Sequence, residues 1–172
     1  MQHISSLRKK VNPKTLIVVV LAIAVIAVLG LALLSLLSRR AQVVGLENGK
    51  LRLCPNSPNC VCSYASTASE HAIAPLTYTG NPDKAFAKLI EIVAGLARSK
   101  INRKSDRYLH AECQSALFRF VDDVEFLLDS EQNVIHVRSA SRVGQSDLGT
   151  NRKRIELIRR KFEETRPSQE DQ

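Results

Sequence analysis

The sequence predicts one membrane-crossing helix followed by a small α+β domain, with helices packed on one face of an antiparallel sheet. Three observations carry this expectation. An uncharged apolar run extends from Leu16 to Leu37, a helix start at Asn81-Pro82-Asp83 is followed by apolar residues at helical spacing, and short segments between Tyr108 and Arg138 alternate apolar with polar residues. The expected order behind the apolar run is β-α-β-β-β-α.

The run has 22 residues, 16 of them Leu, Ile or Val. As a helix it is about 33 Å long, enough for a hydrocarbon core of about 30 Å. Each of those side chains favours insertion by about 0.3–0.6 kcal/mol, and no charge opposes them. A cleaved signal peptide has a shorter apolar region, of roughly 7–15 residues. The pair Gly30/Ala32 lies inside the run, and Arg39 interrupts the pair that ends at Ala41, so an uncleaved anchor is expected. Arg8, Lys9, Lys10 and Lys14 precede the run and only Arg39 and Arg40 closely follow it, which places the N-terminus in the cytoplasm. The expected organisation is a cytoplasmic tail over 1–15, a transmembrane helix over 16–37, a tether over 38–53, an exported domain over 54–165 and a disordered tail over 166–172. The expected location is the inner membrane of a Gram-negative-type envelope, with the domain periplasmic.

Charge partition excludes one function class. The chain carries +8 overall, but residues 1–40 hold six of its 25 basic residues and no acid, leaving 19 basic against 17 acidic residues beyond. A near-neutral domain is no electrostatic footprint for nucleic acid. The excess of positive charge belongs to the membrane anchor.

Cys54, Cys60, Cys62 and Cys113 all follow the span, where an oxidising compartment favours disulfides. In Cys54-Pro-Asn-Ser-Pro-Asn-Cys60 the prolines and asparagines turn the chain back on itself. Of the three possible pairings, Cys54–Cys60 with Cys62–Cys113 is favoured, the second bond stapling the cysteine loop to the strand around Cys113. Paired C-x₂₋₄-C knuckles and a C-x-x-C are both missing, which disfavours a metal centre or a redox pair. No cofactor is expected.

Along the domain, Ile73–Tyr78 reads as a short strand that Pro75 confines to an edge or bulge. Asn81 caps a helix, Pro82 opens it and Asp83 faces its dipole. Phe86, Leu89, Val93 and Leu96 give that helix one buried face, ending near Arg98. Leu109, Ala111 and Cys113 oppose Tyr108, His110 and Glu112 on a strand. Ala116, Phe118 and Phe120 then alternate with Leu117, Arg119 and Val121, and the pattern resumes after Asp122-Asp123 with Val124, Phe126 and Leu128. Asp129–Asn133 turns the chain into Val134–Arg138. A last helix, from about Leu148 to Glu164, puts Ile155, Ile158 and Phe162 on one face, with Asp147 as its cap.

The segment RSASRVGQSDLGTNRKRIE, from Arg138 to Glu156, gathers arginines beside hydroxyls, amides and one acid. Its ligand-binding candidates are Arg138, Ser139, Ser141, Arg142, Asp147, Asn151 and Arg152, because paired guanidinium groups read carboxylate or phosphate. The bland alternative is ion pairing between strands and between helix and sheet. Arg142, in a loop-prone stretch before Gly144, is the residue expected to face a ligand. Asn151, on the stripe of Ile155 and Ile158, is expected to point at the sheet. Catalytic patterns are lacking. Asp122 and Asp123 must point to opposite faces of a strand, His110 and Cys113 likewise, and there is no G-x-S-x-G, H-E-x-x-H or glycine-rich phosphate loop.

Three stretches together, CPNSPNCVCS, YLHAECQSALFRFVDDVEFLLD and IHVRSASRVGQSDLGTNRKRIE, resemble the bacterial and plastid domain-of-unknown-function family 1499 over about residues 46–164. The resemblance rests on Cys54, Cys60, Asp122, Asp123, Glu125, Arg138, Ser139, Ser141, Arg142, Gly144, Asp147, Gly149, Asn151 and Arg152. It implies an exported, membrane- or lipid-anchored protein, and it supplies no activity to carry over. Cys62 departs from the pattern, where serine is common. The leading expectation is a binding or accessory module, with the membrane and an anionic small molecule or an envelope protein as partners. An enzyme acting on an anionic envelope substrate through Arg138–Arg154, and a structural subunit of a membrane complex, are the alternatives.

Overall fold

A computed structural model describes residues 12–40, 43–65 and 70–164. The chain opens with α1 (Pro13–Ser38), capped by Asn12, whose side chain accepts from the Lys14 amide. There follow a two-stranded hairpin, β1 (Leu46–Glu47) and β2 (Lys50–Leu51), and the short strands β3 (Cys60–Cys62) and β4 (Leu76–Thr77). Next come α2 (Pro82–Ala94), β5 (Ser99–Lys104), β6 (Tyr108–Gln114), β7 (Val121–Asp129), β8 (Val134–Ser141) and α3 (Thr150–Glu164).

The α+β class stands. The main sheet runs β3-β8-β7-β6-β5, all antiparallel, with β4 pairing the start of β8. Pro75 immediately precedes β4, which lies at the sheet margin. The meander holds one strand more than the sequence suggests, because Ser99–Lys104 is polar and exposed and carries little alternation. Ala116–Phe120 is not a strand. The register of β6 on β7 ends with Gln114 opposite Val121, so residues 115–120 form the connecting loop. The Ser115 amide donates to the Phe120 carbonyl, and the Phe120 amide to the Ser115 hydroxyl. Asp122-Asp123 therefore lies inside β7 and does not separate two strands.

Period-two geometry sorts the sheet into two faces. Leu109, Ala111, Val124, Phe126, Ile135 and Val137 meet Phe86, Leu89 and Val93 of α2 and Ile155, Ile158 and Phe162 of α3 in the apolar core. The other face carries His110, Glu112, Asp123, Glu125, His136 and Arg138, and apart from the partly exposed Glu112 it is buried. Its cover is the segment read from sequence as a tether. The Gly45 amide donates to Glu125 (2.7 Å), Leu51 is buried, and the last turn of α1 reaches the N-terminal end of β7. The disordered tail expected at 166–172 lies outside the described residues.

Cys54 and Cys60 form a disulfide. The expected Cys62–Cys113 bond is absent, and both thiols are free and buried. Cys62 pairs with Arg138 at the β3 edge, whereas Cys113 sits on β6 with β8 and β7 in between. Three strand spacings of about 4.8 Å exceed the Cα separation of about 7 Å that a disulfide tolerates. The two side chains also project from opposite faces. Burial pushes both thiols above their ordinary pKa.

Mass mapping of the oxidised protein should therefore recover one Cys54–Cys60 link and two thiols that alkylate only after unfolding. Cys54→Ser should cost about 2 kcal/mol, the chain-entropy value for so short a loop. A Cys62–Cys113 peptide would contradict this strand order.

Candidate functional site

The segment from Arg138 to Asn151 begins on β8, where successive side chains must leave on opposite faces. The expected ligand residues are accordingly divided by the sheet. Ser139 and Ser141 point to the helix side and Arg138 to the other, where Arg142, just past the strand end, also reaches.

On the helix side the centre is Asn151, fully buried in the first turn of α3. Its amide nitrogen donates to the Asn59 carbonyl (2.9 Å) and the Ser141 hydroxyl (3.0 Å), and its side-chain oxygen accepts from Ser139 (2.6 Å) and Arg154 (2.6 Å). Arg154 also donates to Ser139 and pairs with Asp122. Asp147 caps α3 by accepting from the amides of Gly149 (3.0 Å) and Asn151 (2.7 Å). The Asn59 side chain donates to the Gly144 carbonyl (2.6 Å) and accepts from Ser57 (2.7 Å), docking the disulfide loop on the same turn. Gly144 and Gly149 supply the positive φ angles of 87° and 75° that this turn needs.

On the opposite side Arg142 grips both oxygens of Asp123 (2.8 and 2.6 Å), pairs with Glu112, and donates to the Ser38 carbonyl at the end of α1 (3.3 Å). The Ser38 hydroxyl in turn accepts from the Val121 amide (3.2 Å). His110 completes the Asp123 carboxylate (2.8 Å). Arg138 pairs with Glu125 (2.8 Å), whose other oxygen takes the Tyr108 hydroxyl (2.7 Å) and the Gly45 amide.

Burial pushes the Asp123 carboxyl up, but its bonds from Arg142 and His110 outweigh this and hold it below the usual carboxylate range. Glu112 is held low through the same guanidinium, again against its burial. Carboxylate bonding drives Arg142 further up, and burial followed by the Glu125 charge raises the Tyr108 phenol. His136, stacked on Tyr64 with ring centroids 4.0 Å apart, is pushed down by burial.

Arg142 is thus enclosed, its side chain 4% exposed, and does not present itself to solvent as its loop-prone context suggested. Ser139, Ser141, Asp147 and Asn151 are brought together, Arg138 and Arg142 lie across the sheet, and Arg152 stands apart on the flank, donating to the Glu70 carbonyl. Asp122 and Asp123 do point to opposite faces. Three residues central to the two clusters were not singled out from sequence. Asn59 carried a weak signal as a Pro-Asn turn. Tyr108 was placed by alternation on the face of His110 and Glu112 but without its partner, and Ser38 carried no signal, because its partners lie 83 and 104 residues away.

Chemically, each arginine of the two clusters is matched by a carboxylate: Arg138 by Glu125, Arg142 by Asp123 and Arg154 by Asp122. Such an arrangement ties elements together and leaves little charge for a ligand. A shallow cleft of about 440 Å³ lies beside it, lined by Arg98, Cys113, Lys153, Arg154 and Leu157. A second, chiefly apolar cavity of about 340 Å³ separates Leu31 and Leu34 of α1 from Phe120, Val143 and Leu148, with Asp122, Ser141 and Asp147 on its domain side.

The family model described as "Protein of unknown function (DUF1499)" matches residues 50–162, and the chain belongs to that family. No curated protein matches the chain.

Stability should rank the candidates. Arg142→Ala should cost about 3–5 kcal/mol, because it strands buried Asp123, and Asn151→Ala about 1–3 kcal/mol through unpaired polar groups. Arg152→Ala should fall within about 0.5 kcal/mol, as surface changes do. Denaturant unfolding of the full chain in detergent reads all three, and a near-neutral Arg142→Ala would refute the buried pairing.

Acidification should destabilise in two stages. His136, Asp123 and Glu112 all have lowered folded pKa values, so their contribution is complete above the unfolded value and lost as pH falls through the folded one. The unfolded values are about 6.5 for His and about 4 for the carboxyls, so losses should begin below pH 6.5 and steepen below pH 4. Stability that rose on acidification from pH 7 to pH 4 would contradict the network.

Proposed function

We propose, from membership of the DUF1499 family, that this protein is a single-pass membrane-anchored module of the cell envelope. In this reading its N-terminus is cytoplasmic, its α+β domain is periplasmic, and its role is binding or accessory. The single observation that carries the reading is the junction between α1 and the domain. α1 has 26 residues and a mean hydropathy of 3.3 over its most apolar window, none of which is buried by the rest of the chain. Its length of about 39 Å suffices for a bilayer core. Only its last turns are engaged, with Ser35 and Ser38 buried and Ser38 bonded to both Arg142 and Val121. An apolar helix bare along its length yet bonded into a domain at one end suits a protein that works at the membrane surface.

Against an enzyme acting through Arg138–Arg154 stands the pairing of those arginines with carboxylates of the same chain. The polar candidates serve better as the frame that sets the domain on its anchor. Ser141 and Asp147, which also line the cavity beside α1, are the members of the set placed to meet a ligand.

A reporter active only outside the cytoplasm, fused after Gln172, should be active, and the full-length chain should stay with membranes after an alkaline wash. Release of a soluble fragment lacking residues 1–40 would overturn the anchor.

A further inference from the structure

Two loops beside the end of α1 expose apolar side chains that none of the described residues covers. Leu117 is 79% exposed at the tip of the β6–β7 loop, and Phe118 beside it packs only partly on Phe120, with ring centroids 5.8 Å apart. Leu148, in the loop before α3, is 85% exposed and has a φ of +53°. A leucine in the left-handed region is strained by its Cβ, and at this exposure its side chain gains little from burial to offset it. Strained backbone that turns an apolar group outward points to a use for the group.

Position supplies the use. Phe120 and Leu148 line the apolar cavity whose other wall is Leu31 and Leu34 of α1. Those leucines lie seven and four residues before the end of α1 at Ser38, or about 10 and 6 Å along its axis. The cavity is therefore level with the last part of the apolar run, at the edge of the hydrocarbon. Arg39 and Arg40 follow the helix, and Arg119 lies between Phe118 and Phe120; all three are exposed. Apolar groups flanked by exposed arginines complement a bilayer with anionic headgroups.

We propose that loops 115–120 and 143–149 dock into the membrane that α1 crosses. Leu117, Phe118 and Leu148 enter the hydrocarbon edge, and Arg39, Arg40 and Arg119 meet the phosphates. The proposal rests on the reading of α1 as a membrane span.

The chain has no tryptophan, so single Trp substitutions report depth directly. Phe118→Trp, Leu148→Trp and, as a control at the far end of β7, Gln132→Trp would be made in the full-length protein. Each would be reconstituted into phosphatidylethanolamine/phosphatidylglycerol vesicles with brominated acyl chains. Quenching should be severalfold stronger at positions 118 and 148 than at 132, and should weaken when Arg39, Arg40 and Arg119 are changed together to Gln. Equal quenching at the three positions, or none at 118 and 148 in protein that still floats with the vesicles, would overturn docking while leaving the anchor intact. Protein that fails to float would refute the span, and docking with it.

Discussion

The pairing of Asp123 with Arg142 is the constraint around which the non-apolar half of this structure is arranged. An ionised carboxylate in the middle strand of a sheet is tolerable only if its charge is met and its lone pairs are bonded. Arg142 meets both requirements with a bidentate grip, and its remaining donors reach Glu112 and the Ser38 carbonyl. One guanidinium thus joins β6, β7, the end of β8 and α1. Because Ser38 is the last residue of α1, the same group that neutralises the sheet also bonds the end of the helix to it.

The sheet has two unlike faces. One carries the apolar core and derives its stability from burial, about 25 cal/mol for each Å² removed from water. The other buries charges, which as a class stabilise little beyond well-packed apolar groups but penalise every misplacement. Its ion pairs therefore act chiefly to select one arrangement of α1, the β1–β2 hairpin and the sheet. On the core side Asn151 has the corresponding part, joining β8, α3 and the disulfide loop through four bonds. The Cys54–Cys60 link holds that loop closed so that Asn59 is in place.

These commitments bear on function. Polar residues that looked like a binding site in the linear sequence are largely occupied with one another, and the accessible features lie elsewhere: a basic cleft beside Cys113 and an apolar cavity against α1. In the membrane-anchored reading, the polar frame transmits position. It holds the second cavity and its flanking loops at a set height on the helix.

The sequence by itself determined the apolar helix, the α+β class, the Asn81 cap, the Cys54–Cys60 loop and the opposite headings of Asp122 and Asp123. Each follows from composition or from a period of 3.6 or 2 over a few neighbouring residues. Only the tertiary structure decided which charges meet. Arg142 lies 104 residues from Ser38 and 30 from Glu112, and no local pattern encodes partners so far apart. Strand order, with β8 and β7 set between β3 and β6, kept Cys62 from Cys113. The register of β6 on β7 made a loop of Ala116–Phe120, whose alternation imitates a strand. A polar strand at Ser99–Lys104 formed because β6 offered an edge to pair with, a backbone interaction that leaves no trace in side-chain pattern.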